Sequence, residues 1–227
     1  HFRQLFKVLE LMGYDWAKDM EHVAFGMVSY EGQALSTRKG HVVYLEDLLN
    51  KAVEKAREII DVKSPNLENK DEVSRQVGVG AVIFFDLYNN RIKDIDFTWD
   101  RALNFEGETG PYVQYTYARA SSVLRKAACP DADAAAGYVP APDETALVKT
   151  LLRFPARVDA ALCEYEPSII SRYVLDVCAA YNVFYHNCPI LRSSGAEQAF
   201  RLRLTAAARQ IIGKSLDLLT IRRTEEI

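Results

Sequence analysis

Residues 34–40 read Ala-Leu-Ser-Thr-Arg-Lys-Gly, between a short apolar run and a long amphipathic one. Ser36 and Thr37 offer hydroxyl donors, Arg38 and Lys39 offer positive charge, and Gly40 frees the backbone. A loop of this kind can grip a polyphosphate, although ordinary surface turns share its composition. A second concentration of charge lies between Arg192 and Arg223. Seven basic residues (Arg192, Arg201, Arg203, Arg209, Lys214, Arg222, Arg223) face only Glu197 and Asp217 there. The chain as a whole carries a net charge of −3, which does not advertise a polyanion binder. Clustered cations can still serve one, or they can be a solvated helix face.

The elements that must carry these residues are mostly helical. Phe2, Leu5, Phe6, Leu9 and Met12 recur at helical spacing, and Gly13 is a stop signal. Val23, Phe25 and Met27 alternate, which predicts a strand with these side chains in the core, and Glu31-Gly32 then turns the chain. From Leu45, the series Leu48, Leu49, Ala52, Val53, Ala56, Ile59, Ile60 predicts an amphipathic helix, with Asp47 and Lys51 spaced for an ion pair. Val77 to Tyr88 is ambiguous, because its β-branched and aromatic content favours strand while Gly78 and Gly80 disfavour both states. Asp94 to Asp100 reads as a short extended piece. Pro111 sits where a first helical turn tolerates it, and Val113, Tyr117, Ala120 and Leu124 mark one face of a helix ending near residue 128. A proline-rich linker over 131–143 separates it from helical segments at 144–163, 167–187 and 196–218, the first kinked or divided by Pro155.

At 227 residues with 49% apolar content, the chain can bury a sizeable core. The cysteines at 129, 163, 178 and 188 show no paired spacing, so neither a metal site nor a disulfide framework is expected, and reduced cytoplasmic thiols are the simplest reading. No apolar run reaches the ~18 residues that a membrane span needs. The sequence begins at His1 inside an apparent helix and reads as a fragment.

Several segments resemble, in order and at family spacing, the arginyl-tRNA synthetases of class I. Residues 36–40 resemble the Ser-Thr-Arg-Lys-Gly form of the "KMSKS" signature. The first and fourth positions, lysine in the general signature, are Ala34 and Thr37 here. His22 to Gly26 resembles the strand before that signature. Asn104 to Arg119 resembles the family's long helix entry. Phe184 to His186, Arg201 to Leu204 and Leu216 to Leu219 resemble its carboxy-terminal helical domain. The resemblance implies a mainly α fold: a helical bundle (anticodon-binding domain) over 66–227, with a small α/β remnant of the nucleotide-binding catalytic domain over 1–65. It also implies helix for Val77 to Tyr88.

The family attaches arginine to its tRNA using ATP with Mg2+. The resemblance assigns Ser36, Thr37, Arg38 and Lys39 to stabilising charge that moves onto departing pyrophosphate. It assigns His22, Phe25, Met27 and Gly40 to ATP. The helical part would unstack anticodon bases and read their edges with aromatic platforms and cations. Candidates are Arg119, Arg125, Tyr181, Tyr185, Asn187, Leu191, Arg201 and Arg203. Ile227, the last residue, stands where the family usually ends in Met and touches the anticodon. Each aromatic in the sets Tyr112, Tyr115, Tyr117 and Tyr181, Phe184, Tyr185 can equally be core. Nothing here resembles the His-Ile-Gly-His motif that completes a class I active site, so the chain alone is expected to be inactive. Expected partners are tRNA, L-arginine and ATP, with no membrane, for a monomeric cytoplasmic protein. Alternatives are a segment of a cysteinyl-type synthetase and a helical interaction module without an RNA role.

Overall fold

A computed structural model describes residues 1–35, 42–127, 135 and 137–227. The chain opens with helix α1 (Phe2–Leu11), closed at Gly13, whose φ of 87° suits glycine. A 3-10 turn over Asp15–Asp19 follows. Strand β1 (Val28–Tyr30) turns at Glu31 and Gly32 into β2 (Gln33–Ala34), and both turn residues have positive φ, as a two-residue hairpin needs. Strand β3 (Ile95–Phe97) joins β1 in parallel, pairing Ser29 with Asp96, so the sheet order is β2-β1-β3.

The alternating segment Val23 to Met27 is extended but is not a regular strand. Its hydrogen-bond partners belong to an irregular loop: Gly26 N–H donates to the Arg91 carbonyl at 2.7 Å and Met27 N–H to Asp94 Oδ1 at 2.7 Å. A ladder forms only from Val28, opposite Ile95. The expected core role for this segment also fails, since Phe25 is 84% exposed and Met27 70%.

Helices α2 (Leu45–Lys63) and α3 (Lys70–Tyr88) form an antiparallel hairpin. A Cβ on Gly78 would lie 2.7 Å from the Ala52 backbone, so the two backbones approach as closely as they do because this residue is glycine. Gly80 similarly faces the side chain of Gln114 on the helix over Gly110–Lys126. The two glycines that made α3 ambiguous are contact points between helices. The spacing-based Asp47–Lys51 pair does not form among the described residues, whereas Arg57 pairs with Asp61 on the same helix at 3.1 Å.

After the one-turn helix α4 (Trp99–Ala102), Thr109 caps α5 (Gly110–Lys126), its hydroxyl accepting from Tyr112 N–H at 3.3 Å, with Pro111 in the first turn. Pro155 divides the next helical segment as its sequence predicts, giving α6 (Pro142–Leu151) and α7 (Phe154–Glu164). Helices α8 (Ser168–Asn187) and α9 (Gly195–Leu218) complete the bundle. Phe84, Val113, Tyr117, Val174, Cys178, Ile212 and Leu216 interlock α3, α5, α8 and α9 in one core cluster. Leu147, Tyr181, Phe184, Leu202 and Ala208 form the next. Each fully buried Val, Leu, Ile or Phe among them contributes roughly 1.5–3 kcal/mol by leaving water. Among the described residues no helix is long and apolar enough to cross a membrane.

Past α9 the chain reverses. Thr220 adopts φ 59°, and Ile221 N–H donates to the Leu216 carbonyl at 2.9 Å, a Schellman ending. The tail then runs back along α5. The buried Gln114 amide donates to the Arg222 carbonyl at 2.8 Å, and Tyr117 Oη donates to Glu225 at 3.0 Å. Ile227 ends against the cluster of Ile60, Val77, Leu103 and Phe105.

Candidate functional site

A cleft of about 970 Å³ is floored by α5 and α8. The α2–α3 connection and the tail residues 225–227 form one side, and the turn after α8 forms the other. Lys63, Arg119, Arg125, Lys126 and Arg192 line it, against Glu225 and Glu226. A side chamber of about 570 Å³, lined by Ile59, Phe105, Tyr112 and Tyr115, shares Lys63, Arg119 and Ile227 with the main cleft.

Arg119 is the organising residue. On α5 it lies one turn after Tyr115, and its guanidinium carbon is 4.7 Å from that ring's centroid. The Tyr185 ring, on α8, lies 5.2 Å from the same carbon. Both distances are within cation–π range. Arg119 Nη1 donates to Asn182 Oδ1 at 2.5 Å, and Asn182 Nδ2 donates to Tyr112 Oη at 2.9 Å. Burial pushes the Tyr112 phenol above its ordinary pKa, and the Asn182 hydrogen bond acts against that rise. Tyr185 is 41% exposed and Leu191 43%, so both offer apolar surface to the cleft. A half-open groove with a cation, two aromatic faces and flanking positive charge can take an extended polyanion with flat bases.

The cleft unites Arg119, Arg125, Tyr185, Leu191 and Ile227 from the sequence-based set. Arg125 is partly occupied there, pairing with Glu226 at 3.0 Å. Two members of that set are corrected. Tyr181 is fully buried between α5, α6 and α9, because those helices cover this turn of α8, whereas one turn later, at Tyr185, the same face opens onto the cleft. Burial pushes its phenol well above the ordinary range. Arg201 is buried too, bonding Glu144 at 2.6 Å and Glu197 at 2.5 Å, so its charge is spent inside the protein. Glu144 in turn accepts from Ala141 N–H at 2.7 Å and from Tyr138 Oη at 3.0 Å. Asn187 lies off the cleft and donates to Asp143 at 2.9 Å. Arg203 is exposed on α9, outside the cleft lining.

The basic stretch from Arg192 to Arg223 is therefore half structural. Arg201, Arg209 and Arg223 are paired, with Glu144, Glu225 and Asp217. Among the described residues no ion pair engages Arg192, Arg203, Lys214 or Arg222. Asn182, Lys63 and Lys126 are site residues that the sequence reading missed. The signal for Asn182 was a polar residue in the otherwise apolar stripe of Cys178, Tyr181 and Tyr185.

Ser36, Thr37, Arg38, Lys39 and Gly40 lie outside the described residues. The segment leading to them is anchored. The His22 ring stacks on Phe2 at 4.1 Å, and Arg91 clamps the segment to the helical bundle. Arg91 Nη1 donates to the Ala24 carbonyl at 2.7 Å and its Nε to the Tyr165 carbonyl at 2.9 Å, joining the extended segment to the α7–α8 turn. The buried thiols are inert, with Cys178 pushed up to about 12 by burial. No cluster of His, Cys, Asp and Glu suited to a metal occurs among the described residues.

Two family models match the chain. The DALR anticodon binding domain matches residues 113–227, and the class I tRNA synthetase (R) catalytic domain matches residues 1–99. Among curated relatives, the arginine–tRNA ligase of Alkaliphilus metalliredigens is 50% identical over 228 residues. That of Clostridioides difficile is 49% identical. Each match covers 100% of this chain and 40% of the relative, so the chain spans about two fifths of their length. Among solved structures, Thermus thermophilus arginyl-tRNA synthetase superposes with a TM-score of 0.92 at 34% identity, over 100% of this chain and 39% of that one. Arginyl-tRNA synthetase from Plasmodium falciparum gives 0.81 at 25%, with the same coverage.

Proposed function

We propose, from the premise that this chain belongs to the arginyl-tRNA synthetases of class I, that it is the anticodon-reading and signature-loop part of an arginine–tRNA ligase. The observation that carries the reading is the Arg119 guanidinium held against Tyr115 and Tyr185 in a cleft lined by five cations. Single-stranded anticodon bases would stack on these rings, while Lys63, Lys126 and Arg192 meet the phosphates. Leu191 and Ile227 supply apolar walls. Arg203 would meet phosphate outside the cleft.

Residues 1–65 would belong to the nucleotide-binding half. ATP is the family's activating substrate. The exposed apolar edges of Phe25 and Met27 suit a flat heteroaromatic ring, and His22, whose ring stacks on Phe2, opens the same segment. Ser36 to Gly40 would follow the phosphates, with Mg2+ accompanying ATP. Arginine attachment is proposed for the longer protein, a cytoplasmic monomer in this reading. The chain by itself should give no ATP–pyrophosphate exchange with arginine. In the longer ligase, Arg38→Ala or Lys39→Ala should lower kcat for activation more than it raises the arginine KM, since one charge-assisted contact is worth roughly 1.5–3 kcal/mol. Unchanged kcat in both would remove the loop assignment.

The direct test of the cleft is filter binding of the 227-residue chain to arginine tRNA and to a tRNA with another anticodon, across a salt series. Tyr185→Ala should cost about 1–3 kcal/mol, one base–aromatic stack, with the salt slope unchanged and the anticodon preference narrowed. Binding that is absent, or insensitive to salt, would leave the bundle a helical interaction module instead.

A further inference from the structure

We infer that Asn182 is a positioning residue that fixes the Arg119 guanidinium against the Tyr115 and Tyr185 rings and so sets the anticodon discrimination of the cleft; this rests on the RNA reading of that cleft. Asn182 sits on α8 with its amide wedged between three α5 side chains. Their chemistry dictates its orientation. A guanidinium only donates, so the oxygen of Asn182 must face Arg119 Nη1, at 2.5 Å. Thr116 Oγ1 already donates to the Tyr112 carbonyl at 2.9 Å, so it accepts from Asn182 Nδ2, 3.5 Å away. Nδ2 also donates to Tyr112 Oη at 2.9 Å. No rotation of the amide satisfies all three partners in another way.

The consequence falls on Arg119. Its side chain is long and flexible, and Asn182 is its only hydrogen-bond partner among the described residues. One Nη1 hydrogen is used, which leaves the remaining guanidinium donors for a ligand. A group held in place before binding loses less entropy when it is engaged, so the anchor favours the RNA that fits the fixed donors over RNA that merely carries phosphate. Asn182 is uncharged, which separates its contribution from Arg119's in a salt titration.

The experiment uses the 227-residue chain and two RNA hairpins, one with an arginine anticodon loop and one with the same stem and an altered loop. Arg119→Ala should weaken both and reduce the salt slope by about 0.7–0.9. Asn182→Ala should weaken the arginine hairpin about tenfold, barely affect the altered one, and leave the slope intact because no charge is lost. The double variant should match Arg119→Ala alone, since Asn182 acts only through Arg119. Asn182→Asp should hold Arg119 in place but neutralise it, so its slope should fall as in Arg119→Ala even if Asn182→Ala folds poorly. If Arg119→Ala changes nothing, the cleft reading fails and the inference with it. If Arg119→Ala weakens binding but Asn182→Ala and Asn182→Asp behave as wild type, or the double variant is additive, only the positioning role is overturned.

Discussion

Arg201 and Arg203 are two residues apart on α9, yet the structure requires opposite consequences from replacing them. Arg201 is buried, and its Nε lies 2.6 Å from the fully buried Glu144 carboxylate. Burial works against the guanidinium charge, but Glu144 and Glu197 outweigh it and hold the pKa above its ordinary value. Arg201→Met would keep much of the side-chain volume and strand Glu144 without its counter-charge. Breaking a buried pair from one side costs about 3–5 kcal/mol. For a chain of this size each kcal/mol lowers Tm by about 2–4 °C, so the drop should be about 6–20 °C. Adding Glu144→Gln should recover part of it, because the neutral amide still accepts from Ala141 N–H and Tyr138 Oη. Arg203→Ala should leave Tm near wild type and flatten the salt dependence of tRNA binding by about 0.7–0.9 in slope. Thermal melts followed by circular dichroism, with filter binding across a salt series, read both quantities. A native-like Tm for Arg201→Met together with a flattened salt slope would overturn the structural assignment of Arg201, because the guanidinium would then be serving RNA and not Glu144.

Gly78→Ala should destabilise by roughly 1–3 kcal/mol, visible in a urea melt, because the new Cβ meets the Ala52 backbone at 2.7 Å and no flexible side chain can yield. Thr220→Gly should raise Tm slightly, since a β-branched residue at φ 59° costs roughly 1–2 kcal/mol that glycine avoids, less glycine's own entropy; a lower Tm would count against strain at this turn. The return tail should loosen in acid. Burial raises the Glu225 pKa, but Ser121, Tyr117 and Arg209 together hold it below the ordinary glutamate value, and Arg223 holds Asp217 low. Groups depressed in the folded state stabilise it fully above their unfolded values, near 4, and lose that contribution as pH falls through the folded ones. Hydrogen-exchange protection factors of residues 221–226 should therefore fall below about pH 4, ahead of those of α9, and uniform protection down to global unfolding would contradict the role of these pairs.

Much of this architecture is written locally. The apolar spacing of α2, the Thr109 cap and Pro111 of α5, the split at Pro155 and the Glu31-Gly32 turn depend on neighbours a few residues away, so periodicity and turn chemistry reveal them. The order of segments resembling the arginyl-tRNA synthetases was likewise legible, and the family models match residues 1–99 and 113–227, which hold most of those segments. What the sequence could not settle depended on distant partners. Tyr181 and Tyr185 share one helix face and one residue type, but only the packing of α5, α6 and α9 buries the first and leaves the second at the cleft. Arg201 and Arg203 look equally cationic until Glu144, 57 residues earlier, claims one of them. Gly78 read as a helix weakness because its value lies in the approach of Ala52 on another helix. The apolar alternation of Val23 to Met27 suggested core, but those side chains stand exposed, with backbone partners in the loop around Arg91. Helical spacing determines which side chains share a face. Which face meets solvent, which charge is neutralised and which glycine is indispensable are set by contacts between elements, and only the tertiary structure makes them.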